Sequence, residues 1–160
     1  NNEYGEIFKL PDVSIDDGVA TVPGIDGQKM SKSYKNTIEM FSEEKALKKR
    51  VSSIVTDSTP VEEPKDAQKC NIFALLTLFC NESELEAYKE RYAKGGEGYG
   101  VFKMELKDKI WTYFEPYRDR REYYLNHKDD VRDILKSGAA KAREKSAPIL
   151  EKVRTATGIL

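Results

Sequence analysis

Two lysines three residues apart, Lys29 and Lys32, stand in the stretch Gly27-Gln28-Lys29-Met30-Ser31-Lys32-Ser33-Tyr34, with a further glycine at 24. An ammonium is a compact charge on a flexible stem, suited to a polyphosphate that changes shape during a reaction, whereas Arg imposes a planar fork. Ser31 and Ser33 add hydroxyl donors, and the backbone N–H groups of such a turn form an anion-binding nest. The glycines predict a mobile loop that closes and reopens. Residue types and spacing together describe a phosphate clamp. A lysine-rich loop with no further context is ordinarily solvated surface, so the surroundings decide.

The surroundings must first supply a core. The 160 residues are 39% hydrophobic and 34% charged, enough apolar material for a modest soluble domain or a small domain plus an appendage. No apolar run approaches the roughly 20 residues that cross a bilayer, and the polar, acidic N-terminus carries no signal peptide. Cys70 and Cys80 sit ten apart without a C-x-x-C or a neighbouring histidine, so neither metal nor redox chemistry is indicated, and both read as buried thiols. Net charge is −1 but alternates along the chain: −5 over residues 1–28, +4 over 29–50, −4 over 51–100 and +4 over 101–160. A protein that binds nucleic acid by bulk charge is basic overall, so any RNA contact here is local.

The elements that position the loop are read from periodicity and punctuation. An acidic turn over 12–18 precedes a brief β-prone run, Val19-Ala20-Thr21-Val22, which Pro23-Gly24 ends; this predicts a short strand with the loop hanging from its end. Ser42 is a candidate N-cap for a helix with Ala46, Leu47, Val51, Ile54 and Val55 on one face. Residues 66–79 are apolar nearly all round and predict a central helix. Asn81 and Glu84 form a capping-box pair that opens a helix with a Leu85, Tyr88 and Tyr92 stripe, ended by Gly95-Gly96. Residues 97–100 form a glycine-rich turn without the preceding strand that a dinucleotide motif needs. A long helix over 101–125 turns Phe102, Leu106, Ile110, Tyr113, Phe114 and Tyr117 inward, with Pro116 kinking or dividing it. Its aromatic stripe reads as core. The sole histidine, His127, reads as surface. A short helix over 130–137, a break at Gly138 and a last helix to Thr157, bent at Pro148, complete the chain.

The string Lys29-Met30-Ser31-Lys32-Ser33 resembles the signature loop of class I aminoacyl-tRNA synthetases. Asp26-Gly27-Gln28 and Tyr34-Lys35-Asn36-Thr37-Ile38 on either side are similar to bacterial-type tryptophanyl-tRNA synthetases. So are Val55-Thr56-Asp57-Ser58, Glu63-Pro64-Lys65-Asp66, Cys70-Asn71-Ile72-Phe73, Gly98-Tyr99-Gly100-Val101-Phe102-Lys103 and Gly138-Ala139-Ala140-Lys141-Ala142-Arg143. The resemblance spans essentially the whole chain. It implies a mainly α fold: a short α/β remnant of a Rossmann-type catalytic domain over 1–40, bearing the loop, and a helical anticodon-binding bundle over 41–160. In such sheets ligands bind beyond the carboxyl ends of the strands.

The resemblance also implies roles. ATP-binding residues would be Thr21, Val22, Lys29, Met30, Ser31, Lys32 and Ser33, the first two through backbone contact with the adenine. Lys29 and Lys32 would be catalytic, stabilising charge on the departing pyrophosphate as tryptophan attacks the α-phosphate. ATP enters with Mg2+ as substrate, without a permanent cofactor; the iron–sulfur cluster of some relatives needs four ligands that two cysteines cannot supply. The product passes to tRNA(Trp), for which Arg118, Arg120, Arg121, Lys141 and Arg143 are candidate contacts because they lie in basic stretches. A cytoplasmic homodimer is implied. The histidine-containing motif of the class is absent, so the chain reads as a C-terminal fragment, inactive alone. A stand-alone tRNA-binding module and another class I synthetase, such as the tyrosine enzyme, are the alternatives.

Overall fold

The computed structural model describes residues 1–15 and 19–159; the expected acidic turn therefore falls outside it at 16–18. The order of elements is α1 (Glu44–Ser52), a 3-10 turn (Ala67–Lys69), α2 (Asn71–Leu76), α3 (Glu82–Lys94), α4 (Tyr99–Asn126) and α5 (Lys128–Thr157). The described residues form no strand. Where one was expected at 19–22, a single antiparallel bridge joins Pro23 to Lys29 instead. A lone extended segment has no partner for its backbone groups, so the β-prone run closes a hairpin-like loop and nothing more.

Two compact units divide the chain, residues 15–118 and residues 1–14 with 119–160. The first holds the core. Leu47 and Val51 of α1, Ile72, Phe73, Leu75 and Leu76 of α2, Tyr88 and Tyr92 of α3, and Phe102, Leu106 and Ile110 of α4 are buried together. Tyr92 packs on Phe102 with ring centroids 4.2 Å apart and meets Phe73 edge-on at 5.7 Å. Burying an aromatic removes a large apolar area from water, and the ring geometry adds to that. The Asn81 side chain accepts from the Glu84 N–H at 2.9 Å while Glu84 accepts from the Asn81 N–H at 3.0 Å, so the capping box is formed as expected. Gly95, at φ +70, ends α3 in a conformation that glycine alone adopts cheaply.

Several boundaries differ from expectation. Ser42 does not cap α1: Glu43 occupies that position, and the Ser42 hydroxyl donates to the Glu39 carbonyl at 3.1 Å. The central helix is only six residues, preceded by the 3-10 turn that the Asp66 side chain caps at Gln68. Pro116 does not divide α4, whose earlier half is anchored by three buried side chains, so the helix survives one missing N–H. Gly138 does not break α5 either; a glycine costs about 1 kcal/mol in a helix, and Ala139, Ala140 and Ala142 beside it are the best helix formers. Tyr113 and Tyr117, expected inward, are about half exposed. Cys70 is buried with Sγ 3.5 Å from the Tyr92 hydroxyl, and Cys80 is half-buried.

In the second unit α5 buries none of its described residues, and Ile134, Leu135, Ile149 and Leu150 are exposed. Its C-terminus is closed by Gly158 in the left-handed conformation, with N–H donation to the Thr155 carbonyl.

Candidate functional site

The lysine loop is built on a ladder of backbone bonds. Met30 N–H donates to the Val22 carbonyl at 2.8 Å, and Gly24 N–H to the Gln28 carbonyl at 2.7 Å. These fold residues 22–30 back on themselves. Gly27 takes φ +81 at the turn. Gly24 does not have a positive φ; a Cβ there would lie 2.4 Å from the Asn36 side chain, so this glycine provides room, not the conformational freedom expected of it. Ile25 joins the loop to the core from both sides, its N–H donating to the Asn36 carbonyl at 3.0 Å and its carbonyl accepting from Val55 N–H at 2.7 Å.

Beyond Met30 the loop makes two tight turns. Tyr34 N–H reaches the Ser31 carbonyl at 3.2 Å, Lys35 N–H reaches the Lys32 carbonyl at 3.1 Å, and Ser33 N–H reaches the Ser31 hydroxyl at 3.3 Å. Lys29, Lys32 and Ser33 are exposed, and Met30 and Ser31 are half-buried. Among the described residues neither Lys29 nor Lys32 forms an ion pair with a carboxylate. Two ammonium groups held on a fastened backbone, open to solvent and unneutralised, are disposed to receive an anion.

Two side chains outside the lysine string fasten this backbone, and a third holds the segment beside it. Arg50 of α1 donates from Nε to the Thr37 carbonyl at 2.8 Å and from Nη2 to the Lys35 carbonyl. Asn36 grips the loop from within, and Asn71 of α2 donates to the Val55 carbonyl at 2.9 Å. The Asn36 amide holds the Asp26 carboxyl below its ordinary range. Sequence reading missed Arg50 as a fastener because its partners lie 13 and 15 residues away.

Val22, expected to meet adenine through its backbone, already has its carbonyl engaged by Met30. Thr21 is exposed and lines an open depression of about 350 Å³ with Pro23, Phe73 and Thr77. The five basic candidates divide between the two units. Arg118 belongs to the unit of residues 15–118, where its guanidinium lies 3.6 Å from the Trp111 ring centroid and donates to the Trp111 carbonyl at 2.7 Å. Arg120, Arg121, Lys141 and Arg143 belong to the other unit and are exposed. Arg121 shares a shallow depression with Tyr124, Lys128 and Arg132 across the junction of α4 and α5. Lys128 and Arg132 were not singled out from sequence, since a helix boundary separates them from Arg121. Among the described residues no group of three or more His, Cys, Asp or Glu side chains is arranged to hold a metal ion, and no helix is long and apolar enough to cross a membrane.

The family model described as tRNA synthetases class I (W and Y) matches residues 1–115. The chain belongs to that family. It is 50% identical over 157 residues to the tryptophan–tRNA ligase of Campylobacter jejuni strain RM1221, covering 96% of this chain and 49% of that protein. Against the corresponding ligase of Rhodopirellula baltica it is 43% identical, covering 99% of this chain and 50% of the relative. A crystal structure of the Campylobacter jejuni tryptophanyl-tRNA synthetase complexed with ADP and tryptophan superposes with a TM-score of 0.84 at 48% identity, over 99% of this chain and 50% of that one. The chain thus spans about half the length of the relatives it matches.

Proposed function

We propose that this chain is the loop-bearing half of a tryptophan–tRNA ligase, an enzyme that activates tryptophan with ATP and transfers it to tRNA(Trp). The observation that carries the reading is the fastened Lys29-to-Ser33 loop with both ammonium groups exposed and, among the described residues, in no ion pair. The likeness to a synthetase crystallised with ADP and tryptophan supports a nucleotide as the anion. ATP with Mg2+ is the substrate. Attack of the tryptophan carboxylate on the α-phosphate expels pyrophosphate, and charge grows on the leaving oxygens. Lys29 and Lys32 stabilise that charge most when it is greatest, with Ser31 and Ser33 positioning the phosphates, Met30 anchoring the loop and Thr21 and Val22 beside the adenine.

The reading extends to organisation. Residues 1–40 complete a Rossmann-type catalytic domain and residues 41–160 read the anticodon, in a cytoplasmic homodimer. Tyr124 amid Arg121, Lys128 and Arg132 supports a contact with RNA in which rings stack and cations meet phosphates. The 160 residues alone are inactive. The test is Lys32→Ala in the full-length enzyme, followed by tryptophan-dependent ATP–pyrophosphate exchange. The rate should fall by about 2–4 kcal/mol of barrier, as for loss of one preorganised donor, with tryptophan affinity nearly unchanged. An equal loss in binding and rate would show that the lysine holds ground and transition states alike.

A further inference from the structure

Resting on the reading of the lysine loop as the polyphosphate clamp, we propose that Asn36 is a positioning residue for the reaction, its buried carboxamide setting the direction in which Lys29 and Ser31 face the phosphates. Asn36 is 2% exposed, yet neither polar atom of its side chain is idle. Oδ1 accepts from the Ser31 N–H at 2.7 Å. Nδ2 donates to the Lys29 carbonyl at 3.2 Å and to Asp26 Oδ1 at 2.8 Å. The Asn36 carbonyl accepts from Ile25 N–H at 3.0 Å. One side chain therefore grips the loop at 26, 29 and 31, and its backbone adds 25.

The grip is directional. Lys29 and Ser31 flank Met30, whose own N–H is taken by Val22, so three consecutive residues are held through their backbone, two by Asn36 and one by residue 22. The Lys29 side chain stays exposed and that of Ser31 half-exposed. The task needs a donor and an acceptor on one short planar group, which a carboxylate or an apolar residue cannot supply. Gly24 is shaped to it, since an added Cβ would stand 2.4 Å from Asn36 Cγ. Two charged groups face the site: the Asp26 carboxylate, and the Arg50 guanidinium on the carbonyls of Lys35 and Thr37 either side of Asn36.

The test uses the full-length enzyme and tryptophan-dependent ATP–pyrophosphate exchange. Asn36→Asp keeps the acceptor for Ser31 but sets a carboxylate against Asp26 and removes the donor to Lys29. We expect kcat to fall by about 10-fold or more, as for a small misplacement of reacting groups, with the KM for tryptophan changed less than about 2-fold. The double variant Asp26→Asn/Asn36→Asp restores the amide–carboxylate bond with roles exchanged and should recover at least about one third of the lost factor on a logarithmic scale. A kcat for Asn36→Asp within about 2-fold of the parent, or a double variant no better than the single, overturns the proposal. If Asn36→Asp does not fold, Asp26→Ala at the exposed end of the same bond carries the test: a drop in kcat without a change in tryptophan KM supports the proposal, and no change overturns it. Lys32→Ala run alongside separates the two ideas. An unaffected Lys32→Ala rate removes the clamp itself, whereas a fall there with none at Asn36 removes only the role of Asn36.

Discussion

Arg91 is the most consequential side chain of the core unit outside the loop. Its guanidinium donates to both oxygens of Glu97, at 2.8 and 2.5 Å, and to both oxygens of Glu105, at 2.9 and 2.8 Å. It also lies 5.3 Å from the Tyr88 ring centroid and 5.0 Å from that of Phe102. One cation thus fastens α3, the turn after it and α4. Replacing it by Met keeps an apolar stem against the rings and strands two carboxylates beside each other. An exposed ion pair is worth about 0.2–1 kcal/mol, whereas breaking a fully buried one costs about 3–5 kcal/mol. Each of the three side chains is 33% exposed, and both pairs are bidentate, so the value falls between these limits. We expect Arg91→Met to lose about 2–3 kcal/mol at pH 7.

The pH dependence makes the reasoning refutable. The hydrogen bonds from Arg91 hold the Glu97 carboxyl below its ordinary range in the folded chain. A depressed folded pKa contributes stability that is present above the unfolded value, about 4.3, and is lost as pH falls through the folded one. The parent should therefore weaken below about pH 4. In Arg91→Met that contribution is gone, and protonation relieves carboxylate repulsion, so the gap between the two should narrow towards pH 3. Urea unfolding followed by the fluorescence of Trp111, the only tryptophan, measures both. A gap as wide at pH 3 as at pH 7, or a variant as stable as the parent at pH 7, would refute the argument.

Two further outcomes follow from burial and charge. Leu106→Ala, at a fully buried position of α4, should cost about 2–5 kcal/mol in urea unfolding, whereas Leu150→Ala, about half exposed on α5, should cost under about 1 kcal/mol; equal losses would mean that α5 contributes as much buried packing as α4. In tRNA titrations at several salt concentrations, neutralising Arg121 or Lys141 should flatten the log–log slope by about one unit per phosphate contact, while Arg118, engaged by Trp111, should leave it unchanged.

What was legible in the sequence was what is local. The Asn81–Glu84 box spans three residues and needs only its own helix start, so it forms as read. Of the stripe expected on α1, Leu47 and Val51 are buried on the helix and Ile54 just beyond its end, while Ala46 and Val55 are exposed; Phe102, Leu106 and Ile110 are buried along one face of α4. The same stripe failed further along α4, at Tyr113 and Tyr117, because periodicity says which residues share a face and not whether anything covers it. Lys65 was similarly invisible. It is 5% exposed, and its ammonium donates to the carbonyls of Pro60, Val61 and Glu63 at 3.1 Å each, a buried cation answered by backbone dipoles and no carboxylate. At the candidate site the lysines announced themselves by type and spacing. Their fasteners, Asn36 and Arg50, are polar residues of ordinary appearance whose value lies in distant backbone partners.

Those fasteners change where the loop's freedom lies. Two glycines invite the view that the whole segment swings, but Gly24 is a space for Asn36, and Gly27 turns against the Asn71 side chain. At the far end Lys35 adopts φ +54, a conformation costing a non-glycine residue on the order of 1–2 kcal/mol, and Arg50 holds its carbonyl. A strained residue persists only where its surroundings over-determine it; here Arg50 holds the Lys35 carbonyl and the next residue, Asn36, is fixed by its own side-chain bonds. The residues between, Lys32 to Tyr34, are exposed and rest on local turn bonds alone. On the proposed clamp reading, closing over a polyphosphate would order only this short tip and the lysine stems, at about 1–2 kcal/mol per residue fixed, not the whole of residues 22–36. On that reading more of the interaction with the phosphates would remain to be expressed in the transition state. Substitutions at the root and at the tip should accordingly fail in different ways: the root by misdirecting charges that are still present, the tip by removing them.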